Sequence, residues 1–570
     1  MKQWHLKAPP TDITQLLSRE LGISPLLSQL MINRGISSPD EAHTFLHASL
    51  KDLPNPFLLK DMEKGVERIL RAIEAKEKIV VYGDYDVDGT SATSMLVLFF
   101  REIHYPIEYY IPHRLREGYS LNNEALHKLK GAGASVVITV DNGISAFEGA
   151  ITAKNLGLDL IITDHHEVAR HGVADKIPDA YAIINPMQSN CPYPAKNICG
   201  TGVAFNLIMA IRQKLRERGF FQCREEPNLK RYLDLVALAT VADVVSLTGV
   251  NRIFVKGGLP EITSGSRLGF KALKEVAGVD AVVAAHHLGF RLGPRINACG
   301  RLYDASAGVR LLTSVDPTEA ATLARELDDA NRERQKIEEK ILEEAVAMLE
   351  KDPATKDRLS HVVYHTDWHP GVVGIVASKL VSLYHRPIIV LGGDQAEGLK
   401  GSGRTFGGLN LVEAIRACSE ILTHAGGHKA AAGMSLPLEN VTALAARFEK
   451  EVRRRISLDD CLPHLNVDAE IRADDIHLRL IEELDLLAPY GQGNPEPLFC
   501  TRGVVAKNGK VVGQKHYKFQ MENISAIAFG WGNKLSSFEG AIDLAFSCEL
   551  NTYQGKHSVS LNIKDVRSLS

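Results

Sequence analysis

Aspartates directly follow three apolar runs in the first third of the sequence, in the segments IVVYGDYDVDG, VVITVDNG and LIITDHH. Runs of this kind, alternating with helical patterns, predict parallel strands, and ligands of such sheets bind beyond the carboxyl ends of the strands. We therefore expect these side chains to lie close together. They are Asp84, Asp86, Asp88, Asp141, Asp164, His165 and His166.

Carboxylates packed this closely repel one another unless a cation lies among them. Hard oxygen ligands with an occasional imidazole suit Mg²⁺ or Mn²⁺ better than zinc. Two such ions, about 3.5 to 4 Å apart, can activate a water and stabilise the leaving oxygen of a phosphoryl transfer. The pattern therefore predicts hydrolysis of a phosphodiester or a phosphoanhydride.

Each of these residues also has an ordinary structural interpretation. Asp88 could be an N-cap, because Gly89, Thr90 and a helical pattern follow it. Asp141 could form an Asx turn before Asn142 and Gly143. The coincidence of three strands favours the metal site. Of the two histidines we assign His165 as a metal ligand and His166 as a residue that faces the scissile phosphate as general acid.

The elements that must position this site are those of an α/β protein. Residues 11–77 are mostly helical, and the runs KIVVYG, IEYYIP, SVVITV, LDLIIT and AYAIIN predict a parallel sheet. The segments 201–219 and 228–242 predict long helices, followed by a mixed region. The polar side chains Arg295, Asn297 and Arg301 fall in a loop pattern that contains glycine and proline.

The second half of the chain predicts one long helix and two further domains. Residues 317–352 are free of internal glycine and proline, so we expect a helix of roughly 50 Å between two lobes. The runs HVVYH and PIIVLGG flank a helix at 372–384, and GVVAK, GKVVG, AIAFGW and IDLAFSCEL predict a small barrel of the OB type. The domain boundaries that follow are 1–77 (helical), 78–315 (catalytic), 316–352 (connecting helix), 353–456 (smaller α/β lobe) and 457–570 (barrel).

Length and composition narrow the class of protein. A chain of 570 residues exceeds one hydrophobic core, and a net charge of -3 does not indicate a polyanion partner over the whole surface. No apolar run approaches the roughly 20 residues of a membrane span, and the N-terminal sequence lacks a secretory signal. We therefore expect a cytoplasmic protein without membrane contact, with its eight cysteines reduced.

The motifs DYDVDG, VDNG and TDHH resemble those of the DHH phosphoesterase superfamily. Five further segments resemble bacterial RecJ proteins in the expected order along nearly the whole chain. They are ALATVADVV, LGPRINACGRL, WHPGVVGIVASKL, GGHKAAAG and PYGQGNPEP. The resemblance implies a DHH lobe and a smaller α/β lobe joined by the long helix, followed by the OB barrel.

The resemblance also implies an exonuclease specific for single-stranded DNA, acting 5′ to 3′ with two Mn²⁺ or Mg²⁺ ions in recombination and repair. The implied metal ligands are Asp84, Asp86, Asp88, Asp141, His165 and Asp243, with His166 beside them. Among them we expect Asp141 to bridge both ions. The implied DNA-binding residues are Arg295, Asn297, Arg301, Trp368, His369, Ser402, Arg404, Gly427 and His428. Trp368 has two open interpretations, a base-stacking residue and a core residue. Ser402, Arg404, Gly427 and His428 are expected on small-residue loops that hold a phosphate.

Single-stranded DNA is the expected partner. A single-strand-binding protein and a helicase are further candidate partners, and we expect the enzyme to be a monomer. Two rival functions stay open at this point. One is a DHH hydrolase of small substrates such as pyrophosphate, short oligoribonucleotides or cyclic dinucleotides. The other is a DNA-binding or scaffold protein without catalysis. The barrel and the helical N-terminal region favour a polymeric substrate.

Overall fold

The structure, a computed structural model, describes residues 2–8, 10–114, 117, 120–171, 174–280, 282–393, 398–553 and 555–568. The chain divides into two compact units. The larger consists of Trp4–Gly300, Asp304–Arg325 and Asn466–Ser570, and the smaller consists mainly of Glu326–Leu465.

Helices dominate the N-terminal region, as predicted. A short strand is followed by helices whose starts are capped by serine: Ser24 accepts from the Leu27 N–H (3.1 Å), and Ser38 forms a capping box with Glu41. These elements are β1 (Gln3–Leu6), α1 (Thr11–Leu21), α2 (Pro25–Ile32), α3 (Pro39–His47) and α4 (Met62–Ala75).

A parallel sheet follows, which confirms the prediction for residues 78–190. Its four strands other than the edge strand Glu108–Tyr110 are rich in Val and Ile and are largely buried, as parallel strands covered by helices must be. The strands are β2 (Lys78–Tyr82), β3 (Glu108–Tyr110), β4 (Ala134–Val140), β5 (Asp159–Thr163) and, after a hairpin of β6 (Ala169–His171) and β7 (Ala174–Lys176), β8 (Ala182–Ile184). The sheet order is β3-β2-β4-β5-β8. Crossover helices are α5 (Val87–Glu102), α6 (Asn123–Gly131) and α7 (Phe147–Asn155).

The rest of this part of the larger unit is helical. The elements are α8 (Gly200–Glu217), α9 (Leu233–Ala242), α10 (Gly249–Ser264), α11 (Leu268–Ala277), α12 (Ala285–His287), a π-helical turn (Leu288–Leu292), α13 (Gly293–Leu302) and α14 (Ser306–Thr313). The predicted loop around Arg295 and Asn297 is wrong, because those residues lie in α13. Pro294 stands at the second position of that helix, where its missing N–H is no loss.

The predicted connecting helix is α15 (Pro317–Lys351), with 35 residues. Ion pairs between residues four apart support it, for example Arg334 with Glu338.

The smaller unit contains a mixed five-stranded sheet. Its further elements are β9 (His361–His365), α16 (Val373–Tyr384), β10 (Ile388–Gly392), β11 (Leu399–Arg404), α17 (Leu411–Arg416), β12 (His424–Gly427), β13 (Ala431–Leu436) and α18 (Val441–Arg453). The order is β12-β13-β11-β10-β9, with only β9 and β10 parallel. The glycine-rich segments at Ser402 and Gly427 are therefore strands, which corrects their prediction as loops.

The C-terminal region forms the predicted barrel. Its elements are β14 (His464–Val467), β15 (Ala469–Glu470), α19 (Leu478–Asp485), β16 (Phe499–Val512), β17 (His516–Met521), β18 (Ile524–Ala528), β19 (Ala541–Tyr553) and β20 (Lys556–Ser568). Pairing of β16 with β19 closes five strands into a barrel. GVVAK and GKVVG belong to one strand, β16, with an irregularity between Lys507 and Lys510. The barrel shares one hydrophobic core with the N-terminal helices, through residues such as Leu17, Leu27 and Phe546.

Within the described residues, no helix has the length and apolar character that a membrane span requires.

Candidate metal centre

The turn after β2 brings Asp84 and Asp86 to the carboxyl end of the sheet. Asp84 is buried, and Asp86 caps α5 by accepting from the N–H groups of Asp88 (2.9 Å) and Gly89 (3.0 Å). A Cβ on Gly89 would lie 2.5 Å from the Asp84 backbone nitrogen. Only glycine therefore allows the helix to start so close to the strand, which explains the DYDVDG pattern.

Asp88 caps a different helix from the one its sequence position suggests. Its Oδ2 accepts from the Gly200 N–H (2.6 Å) and its Oδ1 from the Thr201 N–H (2.7 Å), at the start of α8. A Cβ on Gly200 would lie 2.7 Å from the Cβ of Asp141. The start of α8 thus packs directly against two of the predicted ligands, and sequence reasoning missed both Gly200 and Thr201.

Asp141 follows β4 in a left-handed conformation, with φ 63°. It lies 3.1 Å, through Oδ1, from Nε2 of His165. The same His165 nitrogen is 3.7 Å from Asp88 Oδ2 and 3.8 Å from Asp243 Oδ2. One imidazole therefore meets carboxylates from three separate elements.

Asp243 is the C-cap residue of α9. A carboxylate is unfavourable at the negative end of a helix dipole. The next residue, Val244, is exposed and has φ 59°, a strained conformation for a β-branched side chain. Both features indicate that the chain holds Asp243 in place for a purpose other than helix stability.

Without a cation, burial and neighbouring charges destabilise the charged forms of the carboxylates in this cluster, which raises the pKa values of Asp84, Asp141 and Asp243. Burial, then repulsion from Asp86, raises the pKa of Asp84 well above its usual value, and burial with the charges of Asp88 and Asp86 does the same for Asp141. The same causes raise the pKa of Asp243 to about 9. Burial lowers the pKa of His165, against the influence of Asp88, and so favours its neutral form, which can ligate a metal.

Ligand atoms in this cluster form three groups in which all atoms lie within 4.8 Å of one another. The groups are Asp84–Asp86–Asp141, Asp88–His165–Asp243 and Asp141–His165–His166. Asp84 Oδ1 is buried and accepts no hydrogen bond from any residue that the structure describes. The oxygen-rich donor set therefore fits divalent cations such as Mn²⁺ or Mg²⁺.

Asp164 and His166 form a pair beside this cluster. Asp164 Oδ2 accepts from the Ile144 N–H (2.8 Å), and its Oδ1 accepts from Nδ1 of His166 (2.7 Å). Burial opposes the charged form of His166, but the hydrogen bond to Asp164 and the charge of that carboxylate raise its pKa to about 9. Asp164, which we expected among the converging carboxylates, thus orients the imidazole of His166.

The predicted DNA-binding residues of the larger unit lie on α13. Asn297 Oδ1 accepts from the Val87 N–H (3.1 Å) and so caps α5 together with Asp86. Arg295 donates to the backbone carbonyl of Arg291 (2.5 Å). A Cβ on Gly300 would lie 2.3 Å from the carbonyl oxygen of Tyr85. Helix α13 is therefore packed against the DYDVDG turn.

The smaller unit brings several of its predicted residues together. Arg404 Nη1 donates to Ser402 Oγ (2.7 Å), and a Cβ on Gly374, in the first turn of α16, would lie 3.0 Å from that oxygen. Arg301 donates to the carbonyl of Gly371 (2.9 Å), and the Gly371 N–H donates to Nδ1 of His369 (3.1 Å).

Gly427 and His428 are exposed at the end of β12, where the His428 N–H donates to the Ala431 carbonyl (2.8 Å).

The position of Trp368 decides between a base-stacking residue and a core residue. This residue is 2% exposed, lies in the core between α15 and α16, and its Nε1 donates to Glu344 Oε2 (2.7 Å). Its indole is therefore a core side chain and offers no face for a base.

The parallel sheet and its carboxylate–histidine cluster define a phosphoesterase of the DHH class. The DHH family, N-terminal domain, matches residues 78–240, the DHHA1 domain matches residues 358–454, and the RecJ OB domain matches residues 467–565. The chain belongs to the RecJ family. It is 38% identical to the single-stranded-DNA-specific exonuclease RecJ of Bacillus subtilis, over 99% of this chain and 70% of that protein. It is 37% identical to the RecJ of Salmonella typhimurium, over 99% of both chains.

Solved structures agree with this assignment. The crystal structure of RecJ from Thermus thermophilus in complex with Mn²⁺ superposes with a TM-score of 0.85 at 28% identity, over 100% of this chain and 80% of that one. The complex of RecJ from the same organism with Mg²⁺ superposes with a TM-score of 0.79 at 27% identity, over 100% of this chain and 79% of that one.

Proposed function

We propose that the chain is a metal-dependent exonuclease that hydrolyses the phosphodiester bonds of single-stranded DNA in the 5′ to 3′ direction, in recombination and repair. The observation that carries the proposal is the convergence of Asp84, Asp86, Asp88, Asp141, His165 and Asp243 in overlapping groups of ligand atoms. Membership in the RecJ family, along nearly the whole chain, supports single-stranded DNA as the substrate.

Those six residues are the proposed ligands of two divalent cations, with Asp141 shared between them. When bound, the cations supply Lewis-acid activation of water and stabilisation of the leaving oxygen. The carboxylates themselves balance the charge of the cations, and the close packing of Gly89 against Asp84 and of Gly200 against Asp141 fixes the ligands in place.

His166 is the proposed general acid. Its Nδ1–H is held by Asp164, so the ring orientation is fixed, and the hydrogen bond to that carboxylate favours the protonated form of the ring. Nε2 can then donate a proton to the 3′ oxygen that leaves when the terminal nucleotide is released. Asp164 is a positioning residue in this mechanism.

The proposed DNA-binding residues hold the strand. Arg404, oriented by Ser402, presents a planar cation suited to the 5′ phosphate. Arg295, Asn297, Arg301, His369, Gly427 and His428 are the proposed contacts to the remaining backbone, and the barrel is the proposed surface for the rest of the strand.

The test is digestion of a single-stranded oligonucleotide labelled separately at each end, with Mn²⁺ or with chelator, beside duplex and RNA controls. We expect Mn²⁺-dependent release of mononucleotide carrying the 5′ label, from single-stranded DNA only. Loss of the 3′ label first would contradict the direction. Inactivity on every polymer with hydrolysis of a small phosphate compound would assign the chain to the small-substrate branch of the class.

We further propose that the enzyme is a cytoplasmic monomer that works with a single-strand-binding protein and a helicase. The eight cysteines are consistent with a reducing compartment, because none of those that the structure describes is paired in a disulfide. Sedimentation of the purified chain, alone and with each candidate partner, tests the oligomeric state and the interactions.

A further inference from the structure

The π-helical turn Leu288–Leu292 interrupts the helical segment between α12 and α13. The Gly293 N–H donates to the carbonyl of Leu288, five residues earlier. A Cβ on Gly293 would lie 2.9 Å from that carbonyl oxygen and 3.4 Å from the Cβ of Ala242. Glycine thus permits the turn, and turns of this type inside helices are frequent at functional sites.

The turn presents Phe290 to solvent. Phe290 is 83% exposed, the highest value among the large apolar side chains of the described residues. It lies on an ordered helical element, and the adjacent Arg291 is also exposed. The ring is therefore accessible to a ligand, and a guanidinium stands next to it in the sequence.

One side of this turn borders the metal centre. A Cβ on Gly289 would lie 3.4 Å from Cγ1 of Val241, two residues before Asp243. In the following helix, Asn297 accepts from the Val87 N–H. The residues on both sides of Phe290 therefore pack against the elements that carry the proposed ligands.

A charge on the barrel also acts on this helical segment. His286 is four residues before Phe290 and so lies near it on the same helix face. Burial and the charge of Arg291 lower the pKa of His286, and Glu549 on β19 of the barrel counteracts them. Phe290 belongs to the same compact unit as the metal centre and the barrel.

We propose that Phe290 is a stacking platform for one nucleobase of the single-stranded substrate beside the metal centre. This inference rests on the proposed function. A flat apolar ring next to Arg291 suits any base, because every base has a π face and stacking needs no sequence readout. A base within a duplex already has both faces covered by its neighbours, so this contact also favours single strands.

The experiment compares the full-length wild type with Phe290→Ala, Phe290→Trp and the control Val315→Ala, which removes an apolar side chain that is also 79% exposed. The substrates are a set of oligonucleotides, each with one abasic nucleotide, which is placed one position further from the 5′ end in each member of the set. All are digested in the presence of Mn²⁺. We expect Phe290→Ala to raise KM on unmodified DNA about ten-fold. We expect little change in kcat, in Mn²⁺ binding followed by calorimetry, or in the thermal unfolding midpoint.

The abasic scan identifies the contact directly. In the wild type and in Val315→Ala, one position should be sensitive to loss of its base, whereas Phe290→Ala should show no sensitivity there and Phe290→Trp should retain it. An unchanged KM and an unchanged abasic profile in Phe290→Ala would overturn the inference while leaving the exonuclease in place. A wild type that degrades no DNA under any condition would instead overturn the proposed function.

Discussion

The carboxylate cluster of the larger unit and the glycine-rich strands of the smaller unit are built on opposite principles. The cluster consists of buried anions whose oxygens are fixed by backbone N–H groups, such as those of Gly200 and Thr201 on Asp88. The strands β11 and β12 each contain a run of small residues, 401–403 and 425–427, and β11 ends in a half-buried guanidinium, that of Arg404.

This difference indicates a separate function for each region. Anions that repel one another in a buried site are stable only with cations, so the first region is suited to metal-assisted chemistry. Small residues leave space and arginine supplies a bidentate donor, so the second region is suited to holding a phosphate. Substitutions in the first region should change turnover and metal binding, and substitutions in the second should change DNA binding.

The largest effect is expected for Asp141→Asn. Asparagine tolerates the left-handed backbone, so the fold should survive, while hydrolysis should fall by about three orders of magnitude or more because a shared ligand is lost. The metal-free protein should become more stable, since one of several mutually repelling carboxylates is removed. Single-turnover rates and urea unfolding in chelator measure the two effects.

Asp141→Gly is the matched control for the backbone and should behave in the same way. Near-normal turnover in either variant would refute the ligand assignment. A loss of both turnover and metal-free stability would indicate a folding defect instead.

The next effect concerns the pair beside the cluster. His166→Gln should lower kcat about 10²- to 10⁴-fold, as expected for loss of a general acid. A substrate with a bridging 3′ sulfur, whose leaving group needs no proton, should restore most of the rate. Asp164→Asn should cause a smaller loss, because Nε2 of His166 stays present. Equal loss on both substrates would show that His166 does not protonate the leaving oxygen.

Much of this site could be predicted from the sequence because its residues follow strands. Apolar runs located β2, β4 and β5, and the aspartates after them had to meet at one edge of the sheet. Asp243 was found only through family resemblance, since a carboxylate at a helix end has no periodic signal. The partners of Asp88 at the start of α8 lie more than a hundred residues away, so local patterns could not identify them.

The errors have physical causes. Gly, Ser and Pro are typical of turns, so local preference predicts loops at Gly401, at Gly426 and at the start of α13. Pairing with β13 and packing against the DYDVDG turn override those local preferences. The predicted domain boundaries stay a prediction, although the shared core of the N-terminal helices and the barrel places both in the larger unit.

The stability of the two regions should depend on acid pH in opposite directions. Burial lowers the pKa of His361, on β9, to about 4, so its folded-state pKa is below the usual value of about 6.5. The unfolded state then binds the proton first, and stability should be lost as the pH falls from about 6.5 to about 4, by up to ~3 kcal/mol. The raised pKa values of Asp84 and Asp141 have the opposite sign and favour the metal-free cluster in acid.

Hydrogen exchange at β9 and β10, corrected for intrinsic rates at each pH, measures the effect on the smaller unit. His361 is 3% exposed, and its Nδ1 has no hydrogen-bond partner among the described residues. Replacement of His361 by leucine should therefore remove much of the pH dependence of hydrogen exchange in this sheet and should disturb the structure only slightly. An unchanged pH profile in His361→Leu would show that another group controls the acid sensitivity of this sheet.

The smallest effect is expected at Arg404, and it tests the division of work most directly. Arg404→Gln should raise KM for DNA with a 5′ phosphate about 10- to 100-fold, the range for a lost charge-assisted hydrogen bond, and should leave Mn²⁺ binding unchanged. DNA with a 5′ hydroxyl should be affected less, so the preference for the phosphate should disappear in the variant. Arg416→Gln, at an exposed arginine on α17, is the matched control and should retain it. If Arg404→Gln weakened metal binding and DNA binding equally, the smaller unit would contribute to the metal chemistry itself, and the contrast between the two regions would not hold.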